Sequence, residues 1–305
     1  MPFFYQPVTL PNIATTDFRT RPRVHKRLAV IIQYCLPKQA ITALAGKFAG
    51  AKAGRLTTTV IRWFVKRYDV NMSEAAEPDI RHYETFNAFF TRALHADARP
   101  LADAACICPV DGAISQFGKI DHDLIFQAKG HHYSTRALLA GNDELARHFT
   151  DGSFATLYLS PRDYHRIHMP CGGRLLSMHY VPGELFSVNP ATAEGVPGLF
   201  ARNERVVCEF ESETIGRFVL VLVGATIVGS MATAWHGVVN PPRAGTVKSW
   251  RYDQQDIVLR QGDEMGRFLL GSTVVMLFPA TKLSFNPAWC AGKSVRLGEA
   301  MAVRT

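Results

Sequence analysis

The stretch Leu270-Gly271-Ser272-Thr273-Val274-Val275-Met276-Leu277-Phe278 joins a tight turn to a strand-like run. Gly tolerates the strained dihedrals of such a turn, and its carbonyl carries no shielding side chain. The Ser272 hydroxyl directly follows the Gly271 carbonyl, so attack on that carbonyl would make the chain a self-cleaving proenzyme. Taken alone, Gly-Ser-Thr is also a common turn. Outward from this stretch, short β-rich runs alternate with Gly, Pro and Asn turns. They span residues 113–120, 153–159, 174–181, 206–211, 217–228, 232–239, 246–250 and 256–260. Phe218 to Val223 is apolar without alternation, the pattern of a strand covered on both faces. Residues 136–145 read as a short helical interruption.

Before Arg99-Pro100 the character is helical, over 24–69 and again over 83–94, where Glu84 or Thr85 offers a cap. The expectation is an α+β fold. An N-terminal amphipathic helical region (1–100) precedes a β-rich catalytic domain (101–305). The chain has 305 residues, 47% of them apolar, enough for one large domain or two small ones. Cys35, Cys106, Cys108, Cys171, Cys208 and Cys290 are scattered with no CxxC motif. They read as free thiols of a reducing compartment, with no metal site expected.

Charge is uneven. Residues 1–68 hold 12 Lys/Arg against Asp17 alone, a formal +11, and the rest of the chain carries −3. Nucleic acid and an anionic membrane both suit such a segment. The apolar pattern favours the membrane. Leu56, Val60, Ile61, Phe64, Val65 and Tyr68 recur at helical spacing. So do Leu28, Ile31, Ile32, Cys35 and Leu36, and then Ile41, Leu44, Ala45 and Phe48. The longest unbroken apolar run in this segment is about five residues, Leu28 to Ile32, far short of the ~20 needed to span a bilayer. Basic amphipathic helices of this kind lie in the interface plane, and each cation near an anionic surface contributes about 1 kcal/mol. The first 20 residues lack the layout of a signal peptide. Arg19, Arg21 and Arg23 with a single acid leave a mitochondrial presequence as the alternative, and the preferred expectation is a peripheral location at the cytoplasmic face of a bacterial inner membrane.

Two further segments bear on Ser272. Leu159-Ser160-Pro161-Arg162-Asp163-Tyr164-His165-Arg166-Ile167-His168-Met169-Pro170 holds two histidines at i, i+3. They share a face if the backbone is helical and oppose each other if it is a strand. Pro109-Val110-Asp111-Gly112-Ala113-Ile114 sets an acid in a turn before a strand. With Gly271-Ser272, with Val181-Pro182-Gly183-Glu184-Leu185-Phe186-Ser187-Val188-Asn189 and with Leu199-Phe200-Ala201-Arg202-Asn203-Glu204-Arg205, these segments resemble the phosphatidylserine decarboxylase proenzymes of the bacterial and mitochondrial type. The resemblance runs from about Ile31 to the C-terminus.

The resemblance implies paired or barrel-like antiparallel sheets and self-cleavage between Gly271 and Ser272. Ser272 is thereby converted to a pyruvoyl group, with the 1–271 and 272–305 chains remaining associated. It places His168 as the base that activates Ser272, since a neutral imidazole with pKa near ~6.5 suits that task, and Asp111 as the carboxylate that orients it. His165 is expected to assist decarboxylation or proton return. Tyr158, Phe186, Ser187 and Asn189 are expected at the substrate, and Arg162, Arg166 or Arg202 at its phosphate. The pyruvoyl group would form a Schiff base with phosphatidylserine and act as electron sink. A homo-oligomer and no nucleic acid are expected. Rival readings are a Ser-His-Asp hydrolase, which lacks G-x-S-x-G here, a non-catalytic membrane-binding protein, and a pyruvoyl enzyme for another amino acid.

Overall fold

Phe218 to Val223 lies in the middle of an antiparallel sheet, and its neighbours explain why its sequence does not alternate. In the computed structural model, which describes residues 30–304 apart from 32, 35, 228, 229, 242, 271, 281 and 282, nine described strands form one sheet. Its path runs Lys248–Arg251, Gly173–Val181, Arg205–Ser212, Gly216–Val223, Thr273–Phe278, Ser153–Tyr158, Gly112–Lys119 and Ser294–Val295, with Val258–Leu259 also on Gly173–Val181. Every ladder is antiparallel. On one face Phe218, Leu220, Leu222, Val274, Met276 and Phe278 enter one apolar core. On the other, Val219, Val221, Val223, Val275 and Leu277 enter a second. Both parities are therefore buried, and each such side chain contributes about 1.5–3 kcal/mol. No closed barrel forms among the described residues, because the sheet ends at Lys248–Arg251 and Ser294–Val295.

A second sheet runs Gly237–Asn240, Met231–Thr233, Glu264–Phe268, Arg166–His168. The single strand expected over 232–239 is thus a hairpin. It turns at Gly237, whose φ of 74° favours glycine. The expected strand over 217–228 stops at Val223. Cys106–Ile107, Ala300–Arg304 and Leu283–Phe285 form a third sheet, and Leu124–Ala128 pairs with His131–Ser134. The helical interruption is two short helices, Thr135–Leu138 and Asp143–Arg147.

Before residue 100 the described α-helices include Lys38–Gly50, Arg55–Tyr68 and Phe86–Phe90. The last is shorter than the expected 83–94. Thr85 caps its start through Ala88 N–H, while Ala93 and Leu94 are drawn into pairing with Ala76 and Ala75. Ile61 is fully buried, and Phe64 meets Phe86, Phe89 and Phe90 at ring separations of 5.1, 5.9 and 6.0 Å. Leu56 and Trp63, on the other side of the same helix, are 55% and 58% exposed. Cys106, Cys108, Cys171 and Cys208 are buried free thiols, and Cys290 is exposed. Part of the first apolar stripe (Leu28, Ile32, Cys35) lies outside the described residues, as does Asp17.

Candidate active site

Three neighbouring strands bring the motifs to one end of the sheet. Tyr158, the last residue of its strand, is paired with Thr273 on one side and Ala113 on the other. Ser272, Leu159 and Asp111 therefore leave the sheet together. Leu159 N–H donates to Ser272 O at 2.9 Å, and His168 N–H donates to Pro109 O at 2.9 Å. The approach is close at Gly112. A Cβ there would stand 2.4 Å from Tyr158 O, so only glycine lets Asp111 sit at this turn.

Ser272 is 1% exposed, and its Oγ has no hydrogen-bond partner among the described residues. An orphaned buried hydroxyl costs about 1–3 kcal/mol, and such a group in a folded protein calls for an explanation. The serine borders a cavity of about 220 Å³ with Tyr158, Ser187 and Asn189. Phe64 and Tyr68 from the Arg55–Tyr68 helix, together with Phe90, form more of its wall. Gly271, the other half of the expected cleavage site, lies outside the described residues.

His168 Nδ1 lies 2.7 Å from Gly262 O. A carbonyl only accepts, so Nδ1 carries the proton in the neutral ring, and Nε2 keeps the lone pair. Tyr164 Oη donates to that Nε2 at 3.1 Å. Burial, the largest influence, lowers the pKa of His168, and its neutral form dominates at cellular pH.

His165 is fully buried, its ring stacked on Phe90 at 4.0 Å and 17°, and neither ring nitrogen closes a hydrogen bond among the described residues. Burial first, and then the Arg92 charge, lower its pKa to about 3, opposed by the nearby carbonyls of Pro161 and Ser160. It borders Phe90 and not the cavity lining itself. The strand begins at Arg166, so His168 lies in it and His165 just before it, and the helical turn that would put both histidines on one face does not form.

Asp111 is held elsewhere. Arg99 Nε and Nη2 donate to its two carboxylate oxygens at 2.9 and 2.6 Å, and Leu297 N–H donates at 2.9 Å. Arg99 also grips Glu74 at 2.7 Å. Among the described residues no hydrogen bond joins the side chains of Asp111, His168 and Ser272. They are gathered, but the relay a triad requires is not closed.

Of the expected pocket residues, Tyr158, Ser187 and Asn189 line the Ser272 cavity and Phe186 does not. Phe186 is buried beside Tyr34, with Lys38 Nζ 4.1 Å and Arg202 Cζ 5.0 Å from its ring centroid. Asn189 caps the Pro190–Gly195 helix through Thr192 N–H and donates to Ser187 Oγ at 2.9 Å. Arg162 is exposed, Arg166 pairs with Glu264, and neither lines this cavity. Sequence reasoning missed Tyr164, Arg99, Phe90 and the inward turn of Phe64 and Tyr68. For the last two the only signal was the helical stripe already read as lipid-facing.

The family model described as phosphatidylserine decarboxylase matches residues 86–303, and a second, described as PSD, matches 28–69. A protein of Dechloromonas aromatica is 70% identical over 275 residues, covering 90% of this chain and 97% of its own length. One of Albidiferax ferrireducens is 72% identical over 276 residues, covering 90% and 97%, and one of Methylobacillus flagellatus is 70% identical over 278 residues, covering 91% and 99%. Each of these relatives is named phosphatidylserine decarboxylase proenzyme. With the motif segments gathered around a buried, unpartnered serine and the match running through helices and sheet alike, the chain belongs to the phosphatidylserine decarboxylase family.

Proposed function

We propose that this chain is made as a proenzyme, cleaves itself between Gly271 and Ser272, and then converts phosphatidylserine to phosphatidylethanolamine with release of CO₂. The observation that carries the reading is the Ser272 hydroxyl, buried without a partner where three motif-bearing strands end. The relatives' shared name supports the same reaction. In the neutral tautomer of His168 the free lone pair is on Nε2, so Nε2 is the atom that would accept the Ser272 proton. For this, Nε2 must exchange Tyr164 Oη for Ser272 Oγ. Asp111 would steady the site once its carboxylate turns from Arg99. His165, neutral and desolvated beside Phe90, suits proton transfer to or from an apolar pocket.

The residues fit a pyruvoyl group made from Ser272, because the serine already stands at a cavity without a hydrogen bond that conversion would break. Such a group supplies the electron sink that decarboxylation needs and that ordinary side chains lack. Tyr158, Ser187 and Asn189 would orient the substrate beside it, and Phe64, Tyr68 and Phe90 would exclude water.

The protein works, in this reading, on an anionic membrane surface at the cytoplasmic face. No described helix is long and apolar enough to cross a membrane. The Arg55–Tyr68 helix exposes Leu56 and Trp63 next to Arg55, Arg62, Lys66 and Arg67, and turns Phe64 and Tyr68 onto the cavity. One helix therefore connects the lipid surface to the reacting serine. The division near residue 100 into docking and catalytic parts, and a homo-oligomeric state, belong to the same reading.

The direct test supplies phosphatidylserine vesicles to wild type and to Ser272→Ala. Wild type should form phosphatidylethanolamine and the variant none. Equal product from Ser272→Ala would overturn the assignment.

A further inference from the structure

A second cavity, of about 390 Å³, shares no lining residue with the Ser272 cavity. Three arginines stand in its wall, Arg92, Arg166 and Arg267, alongside Tyr83 and the small side chains Ala76, Ala88 and Ala93. Arg92 is 4% exposed, and its Nε has no hydrogen-bond partner among the described residues. Its Nη2 makes a 3.3 Å bond to Arg162 O, and its guanidinium lies 5.6 Å from the Phe89 ring. A buried guanidinium remains charged, and an uncompensated buried charge is strongly unfavourable.

No carboxylate hydrogen-bonds Arg92 among the described residues; Asp111, Asp163 and Glu74 act on it only through space. Glu264 serves two arginines at once, Arg166 at 2.9 Å and Arg267 at 2.6 Å. Glu77, also in the wall, is engaged by His82 and by Asp79 N–H, each at 2.8 Å. Arg166 Nε is satisfied by Thr91 O at 2.9 Å. Among the described residues Arg92 keeps an unused Nε donor and no hydrogen-bonded carboxylate, in a cavity that two further guanidiniums border.

We propose that this cavity binds a phosphate group, with Arg92 as the buried anchor and Arg166 and Arg267 at its mouth. Planar guanidinium forks match phosphate oxygens, and three of them around one space favour an oxyanion over a neutral ligand. The small alanines leave room for a phosphate and a short substituent. The shared chemistry is that of inorganic phosphate and of the glycerophosphate headgroup of an anionic lipid.

Calorimetric titration of the full chain with inorganic phosphate and with glycerol 3-phosphate, at ionic strength held constant with chloride, tests the site. Wild type should bind at least one of the two saturably, near one per chain. Arg267→Gln, at a position 36% exposed and so tolerant of change, should weaken binding tenfold or more, as should Arg92→Gln. Ser272→Ala should bind as wild type does, which separates failure of this site from failure of the decarboxylase reading. Glycerol 3-phosphate binding without inorganic phosphate binding, together with weaker flotation of Arg267→Gln on phosphatidylglycerol vesicles, identifies a lipid headgroup. Equal binding of both probes identifies free phosphate. Absence of saturable binding by wild type, or undiminished binding by Arg267→Gln, would overturn the proposal.

Discussion

Tyr164 Oη donates a 3.1 Å hydrogen bond to Nε2 of His168, the nitrogen that the 2.7 Å contact from Nδ1 to Gly262 leaves with a lone pair. The tyrosine thus occupies the proton-accepting atom of the proposed base and stabilises its neutral form.

Removing that donor has a signed consequence. A hydrogen bond to the neutral form disfavours the charged one, so Tyr164→Phe should move the His168 pKa back up toward its ordinary value. The acid limb of the self-cleavage rate should shift to higher pH. Near pH 6 the variant should mature more slowly than wild type, and near pH 8 at least as fast. A limb that moves to lower pH would show that Tyr164 does not act on His168 in this way.

The two histidines should separate by role. His168→Ala and Asp111→Ala should accumulate the uncleaved chain, while His165→Ala should cleave yet decarboxylate poorly. Gel analysis of maturation beside product formation measures both. The reverse pattern, cleavage lost in His165→Ala and kept in His168→Ala, would exchange the assignments.

His165 also makes stability depend on pH. Its folded pKa of about 3 lies below the unfolded value of ~6.5, so the unfolded chain takes up the proton first as pH falls. The contribution is fully present above ~6.5 and is lost progressively toward ~3, at about 1.4 kcal/mol per pH unit. Between pH 7 and pH 5, urea unfolding of wild type should lose roughly 2 kcal/mol more than that of His165→Phe, which has no proton to bind. Equal losses in the two proteins would mean that the ring is not held neutral.

Arg99 ties Asp111 to Glu74 in a site where Arg99 and Asp111 are nearly buried. Arg99→Ala leaves two carboxylates with one guanidinium less, an uncompensated buried charge that typically costs about 3–5 kcal/mol. A fall in thermal midpoint of several degrees is expected. Unchanged stability would mean that the pair is solvated in solution.

How far the sequence carried the reading follows from where each signal lay. Phe218–Val223 and Thr273–Phe278 announced central strands because unbroken apolar runs need two covered faces, and both cores are there. Two-residue strands such as Cys106–Ile107 and Ser294–Val295 carry too few residues for a period and become strands only through their partners. Asp111, His165, His168 and Ser272 stood in recognisable segments, and the register at Tyr158 explains why distant segments meet. Their immediate partners could not be read. Arg99 is 12 positions from Asp111, and Gly262 is 94 from His168. The apolar stripe of Arg55–Tyr68 gave the helix but not the sorting of Leu56 outward and Phe64 inward, which depends on Phe86, Phe89 and Phe90 arriving from another segment.

Cleavage at Ser272 would release a chain, 272–305, that still contributes the Thr273–Phe278 strand between Gly216–Val223 and Ser153–Tyr158. Val274, Val275, Met276, Leu277 and Phe278 are all fully buried, at about 1.5–3 kcal/mol each. The two chains should co-elute in native size exclusion and part only in denaturant. Loss of the small chain under native conditions would contradict its central place in the sheet.

The most direct measurement is the intact mass of the purified wild-type protein under denaturing conditions. Self-cleavage predicts two chains, residues 1–271 and 272–305, the smaller lighter by one ammonia than a chain beginning with free serine. A single 305-residue species persisting after long incubation would contradict it.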